Sequence, residues 1–243
     1  MNIGVVLKRE LSGYFATPVA YVFIFIFLVL AGVFTFYVGN FYERQQADLV
    51  PFFSFHPWLY LFLIPAISMR LWSEERKSGT LELLMTLPLS RWDIVLGKFL
   101  AAWLFAGIAL VLTFPIWLTV NFLGHPDNGV ILASYIGSWL MAGGFLAIGS
   151  CMSALTRSQV VAFVLCGFVT LMFVMAGFPL VLDIVRGWLP LSLVDVIASL
   201  SFLTHFNAIS RGVLSLQDFL YFISMILAWL FATSIVLDLK KGG

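Results

Sequence analysis

EERKSGTLELLMTLPLSRWDIVLGK, Glu74 to Lys98, holds eight charged residues in 25 positions, of a chain with 13 basic and 12 acidic side chains among 243 residues. On either side of it the charge disappears. Leu49–Met69 upstream and Phe99–Leu123 downstream contain no Asp, Glu, Lys or Arg, and the same holds for Leu11–Tyr42, Asn128–Thr156, Ser158–Leu182 and Phe219–Leu237. Each run is near or above the ~20 residues that a spanning helix needs. The composition, 62% hydrophobic and 16% aromatic, is more apolar than a soluble domain of this size can hide, so the bilayer is the expected solvent. The fold expected is an all-α integral membrane protein with six transmembrane helices, built as one membrane domain over residues 1–243 with no sequence repeat.

The first run is overlong. Ser12–Gly13 and Thr17–Pro18 suggest a break, which leaves a span from about Val19 to Phe41 and a separate short helix over residues 1–17. Ile3, Leu7, Leu11 and Tyr14 recur at helical spacing, while Lys8, Arg9 and Glu10 supply polar character, which suits a helix lying in the interface plane. A simple tail is the alternative. The start, MNIGVVLKREL, has no leading charged region and no cleavage pattern, so no removal of a signal segment is expected.

Orientation follows from the basic residues. With the amino terminus inside, Lys8, Arg9, Arg70, Arg76, Lys77, Arg91, Lys98, Arg157, Lys240 and Lys241 lie on the cytoplasmic side, and only Arg44, Arg186 and Arg211 face outward. An even number of spans independently puts both termini on one side. Helix starts are marked by a Ser or Thr three residues before an acid or amide: Ser90–Asp93, Thr156–Gln159, Ser192–Asp195 and Ser215–Asp218. The net charge of +1 carries no basic face for nucleic acid. Cys151 and Cys166 fall inside apolar runs and read as packing residues.

The charged stretch itself, within a loop over residues 70–93, centres on a short helix: Ser78–Gly79 as the cap, Glu82 in the first turn and Pro88 ending it. Leu81, Leu83, Leu84, Met85 and Leu87 leave it apolar on more than one face, yet it is too short to span. Lipid headgroups could cover those side chains. A groove on a cytoplasmic protein could equally accept a helix with Leu and Met anchors and charged edges.

EERKSGTLELLMTLPLSRWDIVLGK resembles the cytoplasmic loop of ABC-2-type exporter permeases, most closely the gliding-motility-associated and nitrous-oxide-reductase-maturation branch. KRELSGYFATPVAYV (Lys8–Val22) and FNAISRGVLSLQDFLYF (Phe206–Phe222) resemble segments of the same branch, in the same order. The resemblance implies a permease subunit of the bacterial inner membrane whose coupling helix, Gly79 to Leu87, docks on a separate ABC ATPase subunit. Residues of about Asn2 to Phe15 would form the connecting helix, and the last outer loop would hold re-entrant helices. The contact set for the ATPase subunit is then Glu74, Glu75, Gly79, Thr80, Leu81, Glu82, Leu83, Leu84, Met85 and Leu87. Glu74 and Glu75 would touch that partner or the neighbouring connecting helix, with solvated charge as the alternative.

No G-x-x-x-x-G-K-[ST] occurs, since Gly97–Lys98 is followed by Phe99 and preceded by Trp92 where the first glycine should stand. The chain is therefore expected to bind no cofactor and catalyse nothing itself, with ATP and Mg2+ held by the partner ATPase. The 36-residue outer loop Asp183–Asp218 is too apolar for exposed coil; Leu193–Ile197–Leu200 and Phe202–Phe206–Ile209–Val213 suit short helices dipping from the surface, a re-entrant hairpin. His205, Asn207, Ser210 and Arg211 would lie near an outer gate, or else cap and solvate the hairpin. Gly143–Ala147 and Gly149–Ser153 signal close helix packing. His56, His125 and His205 are too scattered for a metal site. The spans also lack the ionisable residues of an intramembrane enzyme or ion-driven carrier. An ATP-driven exporter of a lipid-like, glycan or hydrophobic substrate is the expected function, and a non-transporting scaffold that recruits an ATPase is the alternative. Expected partners are the ATPase subunit, a second permease copy or paralogue, the bilayer and a periplasmic accessory protein.

Overall fold

In the computed structural model, which describes residues 3–82, 90–188 and 190–239, the described chain is helical and no strand is present among the described residues. Helix α1 (Ile3–Phe15) buries Val6 and packs Leu11, Tyr14 and Phe15 against the bundle, with Lys8 and Arg9 outward. Helix α2 (Pro18–Val33) opens on a proline, whose fixed φ suits a first turn and whose missing N–H would have had no partner there. It runs on into one π-helical turn, Phe34–Val38. Only Ala20, Phe27 and Ala31 of α2 are buried; Val22, Phe25, Val29 and Val33 are exposed, as an apolar helix facing lipid requires.

The run Leu49–Met69 is not one uninterrupted helix. It folds as α3 (Val50–Ser54) and α4 (His56–Ser68), and the chain turns directly into α5 (Arg70–Ser78). Prolines divide it: Pro51 and Pro57 sit in the first turns of α3 and α4, and Pro65 lies inside α4, where it cannot donate to the preceding turn. The third run begins earlier than its charge-free portion, as α6 (Arg91–Val111), and bends into α7 (Phe114–Leu123) at Pro115. Next come α8 (Asn128–Leu155), α9 (Gln159–Met175), α10 (Pro179–Arg186), α11 (Leu191–Ser199), α12 (Phe202–Ser210) and α13 (Leu216–Leu239).

Helix α8 is the axis of the molecule. Its 28 residues make it roughly 42 Å long, and every residue from Leu140 to Ala154 is buried. The small residues foreseen as packing points work inside the subunit. A Cβ on Gly143 would lie 2.8 Å from Trp103 Nε1 of α6, and one on Gly149 would lie 2.0 Å from Ser68 Oγ of α4. Around α8 pack α4, α5, α6, α9, α12 and α13.

Among the described residues, four helical segments are long and apolar enough to cross a membrane: Pro18–Val38, Arg91–Leu123, Asn128–Leu155 and Leu216–Leu239. The count is five if α11 and α12, which meet at a 63° bend, are taken as one. Of the other expected spans, α4 has 13 residues and α9 has 17. The 158–182 run ends early because Gly177 packs on Ser201 and Thr204, and the chain restarts at Pro179.

The helix starts sort the capping signals. Ser90 Oγ accepts from Asp93 N at 3.1 Å, and Ser215 Oγ from Asp218 N at 3.1 Å. Two expected caps are corrected. Ser158, not Thr156, caps α9, because Thr156 Oγ accepts the Ser158 N–H and leaves Ser158 to serve Val161. Ser192 lies inside α11, whose first turn follows Pro190. Ser78–Gly79 lies between two helical stretches, ending α5 and directly preceding Thr80–Glu82. Gly79 has φ of +74°, a left-handed stop that glycine adopts cheaply, and Arg76 and Lys77 complement the carbonyl end. Thr80–Glu82 is helical again.

Candidate functional site

One charged joint ties together three helices that are distant in sequence. Lys98, eight residues beyond the Ser90 cap and inside α6, is 4% exposed. Its Nζ stands 3.2 Å from Glu10 Oε2 of α1 and 2.8 Å from Glu75 Oε1 of α5. The ammonium also lies 5.5 Å from the centre of the Trp72 ring. Arg9 reaches Glu10 Oε1 at 2.7 Å, so Glu10 is held from both sides. Helix α1 can lie this close because Gly97 leaves room for Val6, and because Tyr14 stacks on Phe105 of α6 at 5.1 Å.

Behind the joint, α5 is stitched to α8 by hydroxyls. Ser153 Oγ accepts from Trp72 N at 3.0 Å and Ser73 N at 3.1 Å, and donates to Met69 O at 2.8 Å. Trp72 Nε1 donates to Ser150 Oγ at 2.9 Å. Arg76 Nη1 donates to Ala154 O at 2.6 Å, a cation at the carbonyl end of α8. Arg91 pairs with Asp238, which closes the start of α6 against the end of α13. The residues that lead into the expected coupling segment are thus bound to the N-terminal helix, the third run and the central helix at once.

The two carboxylates of the joint differ. Burial would raise Glu10, but the Lys98 ammonium and the Arg9 guanidinium hold it below its ordinary value. Burial pushes Glu75 up, aided by the Glu10 charge and only partly offset by Lys98. A raised carboxyl favours the folded state in its protonated form, so its contribution falls as pH rises through the folded value. A lowered one contributes above 4.5 and is lost as pH falls through its folded value. The purified chain is therefore expected to gain thermal stability from neutral pH toward 4.5 and to lose it in stronger acid. Melting curves of wild type and Glu75→Gln check this: the variant should show a flatter profile over the first interval, and identical profiles would refute the assignment.

The remaining expected site residues scatter. Glu74 is exposed and forms an i,i+4 ion pair with Arg70; Thr80 and Glu82 are exposed, and Leu81 packs on the core. Leu83, Leu84, Met85 and Leu87 lie outside the described residues. On the opposite end, His205 is buried, with Nδ1 at 2.6 Å from Asp218 Oδ1 and Nε2 at 2.9 Å from Ser199 O. Ser215 Oγ donates to Asp218 Oδ2 at 2.6 Å, so this serine serves the aspartate and not the histidine, unlike a hydrolytic triad. Asn207 and Arg211 face outward, and Ser210 is half-buried. His56 is fully buried, with Nδ1 against Ser138 Oγ at 2.8 Å. Among the described residues no group of three His, Cys, Asp or Glu side chains could hold a metal ion.

The family model described as ABC-2 family transporter protein matches residues 19–239. The chain belongs to the ABC-2 transporter family. No curated protein matches it. The match takes in Lys98, Glu75, Trp72 and the α8 serines, while Glu10 lies just before it. As an ABC-2 member the chain is a multi-pass membrane protein and a transporter component, which implies partnership with an ABC ATPase subunit. In the sequence Lys98 reads as an inward-side charge and as part of a Gly-Lys pair that fits no P-loop. Its signal was a lysine several residues inside a capped helix, next to a glycine.

Proposed function

We propose that this ABC-2 protein is the permease subunit of an exporter in the gliding-motility and nitrous-oxide-maturation branch, with six spans, both termini in the cytoplasm and residues 79–87 docked on the ATPase. The family match over residues 19–239 carries the reading, and the joint around Lys98 supports it. Closure of two ATPase subunits, each binding ATP and Mg2+, displaces the docked segments. Lys98 passes that displacement from α5 to α1 and α6, and Ser153 passes it to α8. A second permease copy or paralogue completes the pathway. In this assignment α3–α4 and α9 are the second and fifth spans, and the α11–α12 bend is the re-entrant hairpin on the periplasmic side. The substrate is lipid-like, a glycan or a hydrophobic peptide.

Leu84→Asp tests the docking. The variant should insert normally and lose the ATPase subunit on co-purification, because it places a charge in the apolar contact. Equal recovery of the ATPase would remove the docking role.

A further inference from the structure

A five-residue motif occurs twice, as WLFAG (Trp103–Gly107) in α6 and WLMAG (Trp139–Gly143) in α8. The two copies face each other. Trp103 Nε1 donates to Trp139 O at 2.8 Å, and Trp139 Nε1 donates to Trp103 O at 3.2 Å. The indoles stack, with centroids 4.3 Å apart and planes inclined by 15°. Each ring also covers the glycine that ends the other copy: a Cβ on Gly143 would lie 2.8 Å from Trp103 Nε1, and one on Gly107 would lie 2.8 Å from Trp139 Nε1. The contact is reciprocal, since each motif supplies the other with one indole, one carbonyl and one glycine seat.

Its depth sets it apart from ordinary packing. Trp103 lies about 18 Å along α6 from Arg91, and Trp139 about 17 Å along α8 from Asn128. Both indoles therefore sit inside apolar segments, away from the membrane surfaces where tryptophan usually collects. There an indole N–H has no water to turn to, and parting or sliding the two helices would strip both donors of their acceptors at once. Near its other end α8 is held again, by Ser150 and Ser153 to α5, about 21 Å along the helix from Trp139. One attachment would let α8 pivot; two at different heights make its tilt follow α5 and α6. On the far side of Trp139, α8 seats α12: a Cβ on Gly137 would lie 2.7 Å from Ile209, and Ser134 Oγ donates to Ser210 O at 3.4 Å.

Resting on the function proposed above, we propose that Trp103 and Trp139 are positioning residues of the transport cycle. Their reciprocal contact makes α6 and α8 one rigid body, so that displacement of the segment docked on the ATPase reaches α12 through α8.

The test uses the transporter purified from native membranes through a tag on this chain, held in lipid nanodiscs and spin-labelled at introduced cysteines; Cys151 and Cys166 are buried. One sample carries Leu104→Cys of α6 with Leu132→Cys of α8, and another carries Asn207→Cys of α12, all at exposed positions. The distance between the first two labels should be the same without nucleotide and with the ATPase trapped by vanadate, while the mobility of the Asn207 label should change on trapping. Trp103→Phe combined with Trp139→Phe keeps aromatic area and removes both N–H groups. It should broaden the α6–α8 distance and abolish the Asn207 response, with ATPase recovery and ATP hydrolysis retained. Should that variant fail to assemble, Gly107→Ala presses on Trp139 while leaving both indoles in place, and the same two losses are expected. A wild-type distance that changes on trapping, a wild-type Asn207 label that does not respond, or either reading left intact by these variants overturns the proposal. If no ATPase accompanies the chain, the function proposed above fails instead, and the contact is judged on the chain alone: an unbroadened distance in the double variant overturns it.

Discussion

Lys98→Met should destabilise the protein by about 3–5 kcal/mol, the usual cost of removing one partner from a buried ion pair. The side chain is nearly isosteric, so packing against Trp72 persists and the loss is electrostatic. Glu10 would keep Arg9, but Glu75 would lose its direct ion-pair partner, and the two carboxylates would face each other in a half-buried space. Thermal unfolding in detergent measures the loss. The triple variant Glu10→Gln, Glu75→Gln, Lys98→Met should recover most of it, because neutralising a whole buried cluster is often nearly neutral. In the assembled transporter, Lys98→Met should also lower ATP-dependent transport more than ATPase binding. A change below about 1 kcal/mol, the scale of an exposed pair, would show that the three helices are held by packing alone.

Gly149→Ala is expected to cost about 2 kcal/mol net. Helix propensity alone favours alanine by ~1 kcal/mol in a helix interior. Sterics oppose it and win here: the new Cβ would lie 2.0 Å from Ser68 Oγ, 2.4 Å from Ser68 Cβ and 3.0 Å from Cys166 Sγ. Ser68 is fully buried, so α4 or α9 must move away from α8. Gly32→Ala in α2 is the internal control; nothing lies within 4 Å of its Cβ, and propensity should make that change neutral or stabilising. Ser68→Gly combined with Gly149→Ala should return most of the loss, which a double-mutant cycle by thermal unfolding resolves. Additive effects would mean that the strain lies elsewhere.

The long charge-free runs were legible because a bilayer imposes its length directly on the sequence. Residues 19–41, 128–156 and 219–237 correspond closely to Pro18–Val38, Asn128–Leu155 and Leu216–Leu239. The 49–69 run was legible only as apolar. Its prolines gave the breaks a local cause, but the direction taken at Met69 depends on Ser153, on another helix. The acidic pair Glu74–Glu75 was readable only as either a contact or solvated charge, and the structure divides it: one residue faces outward and the other reaches Lys98. Ion pairs between elements leave no periodic trace, and Glu10 and Lys98 are 88 residues apart. The His205–Asp218 pair escaped for the same reason, although Ser215–Asp218 was visible as a cap.

The hydroxyl of Ser153 bears on biosynthesis. It receives the N–H groups of Trp72 and Ser73, and the serine lies 81 residues downstream of that tryptophan. While the ribosome is still making the intervening chain, that acceptor does not yet exist and the two donors need another partner. The stitching of α5 to α8 can therefore form only after residue 153 has been made, so a nascent chain ending before Ser153 would carry its first two apolar runs without that contact.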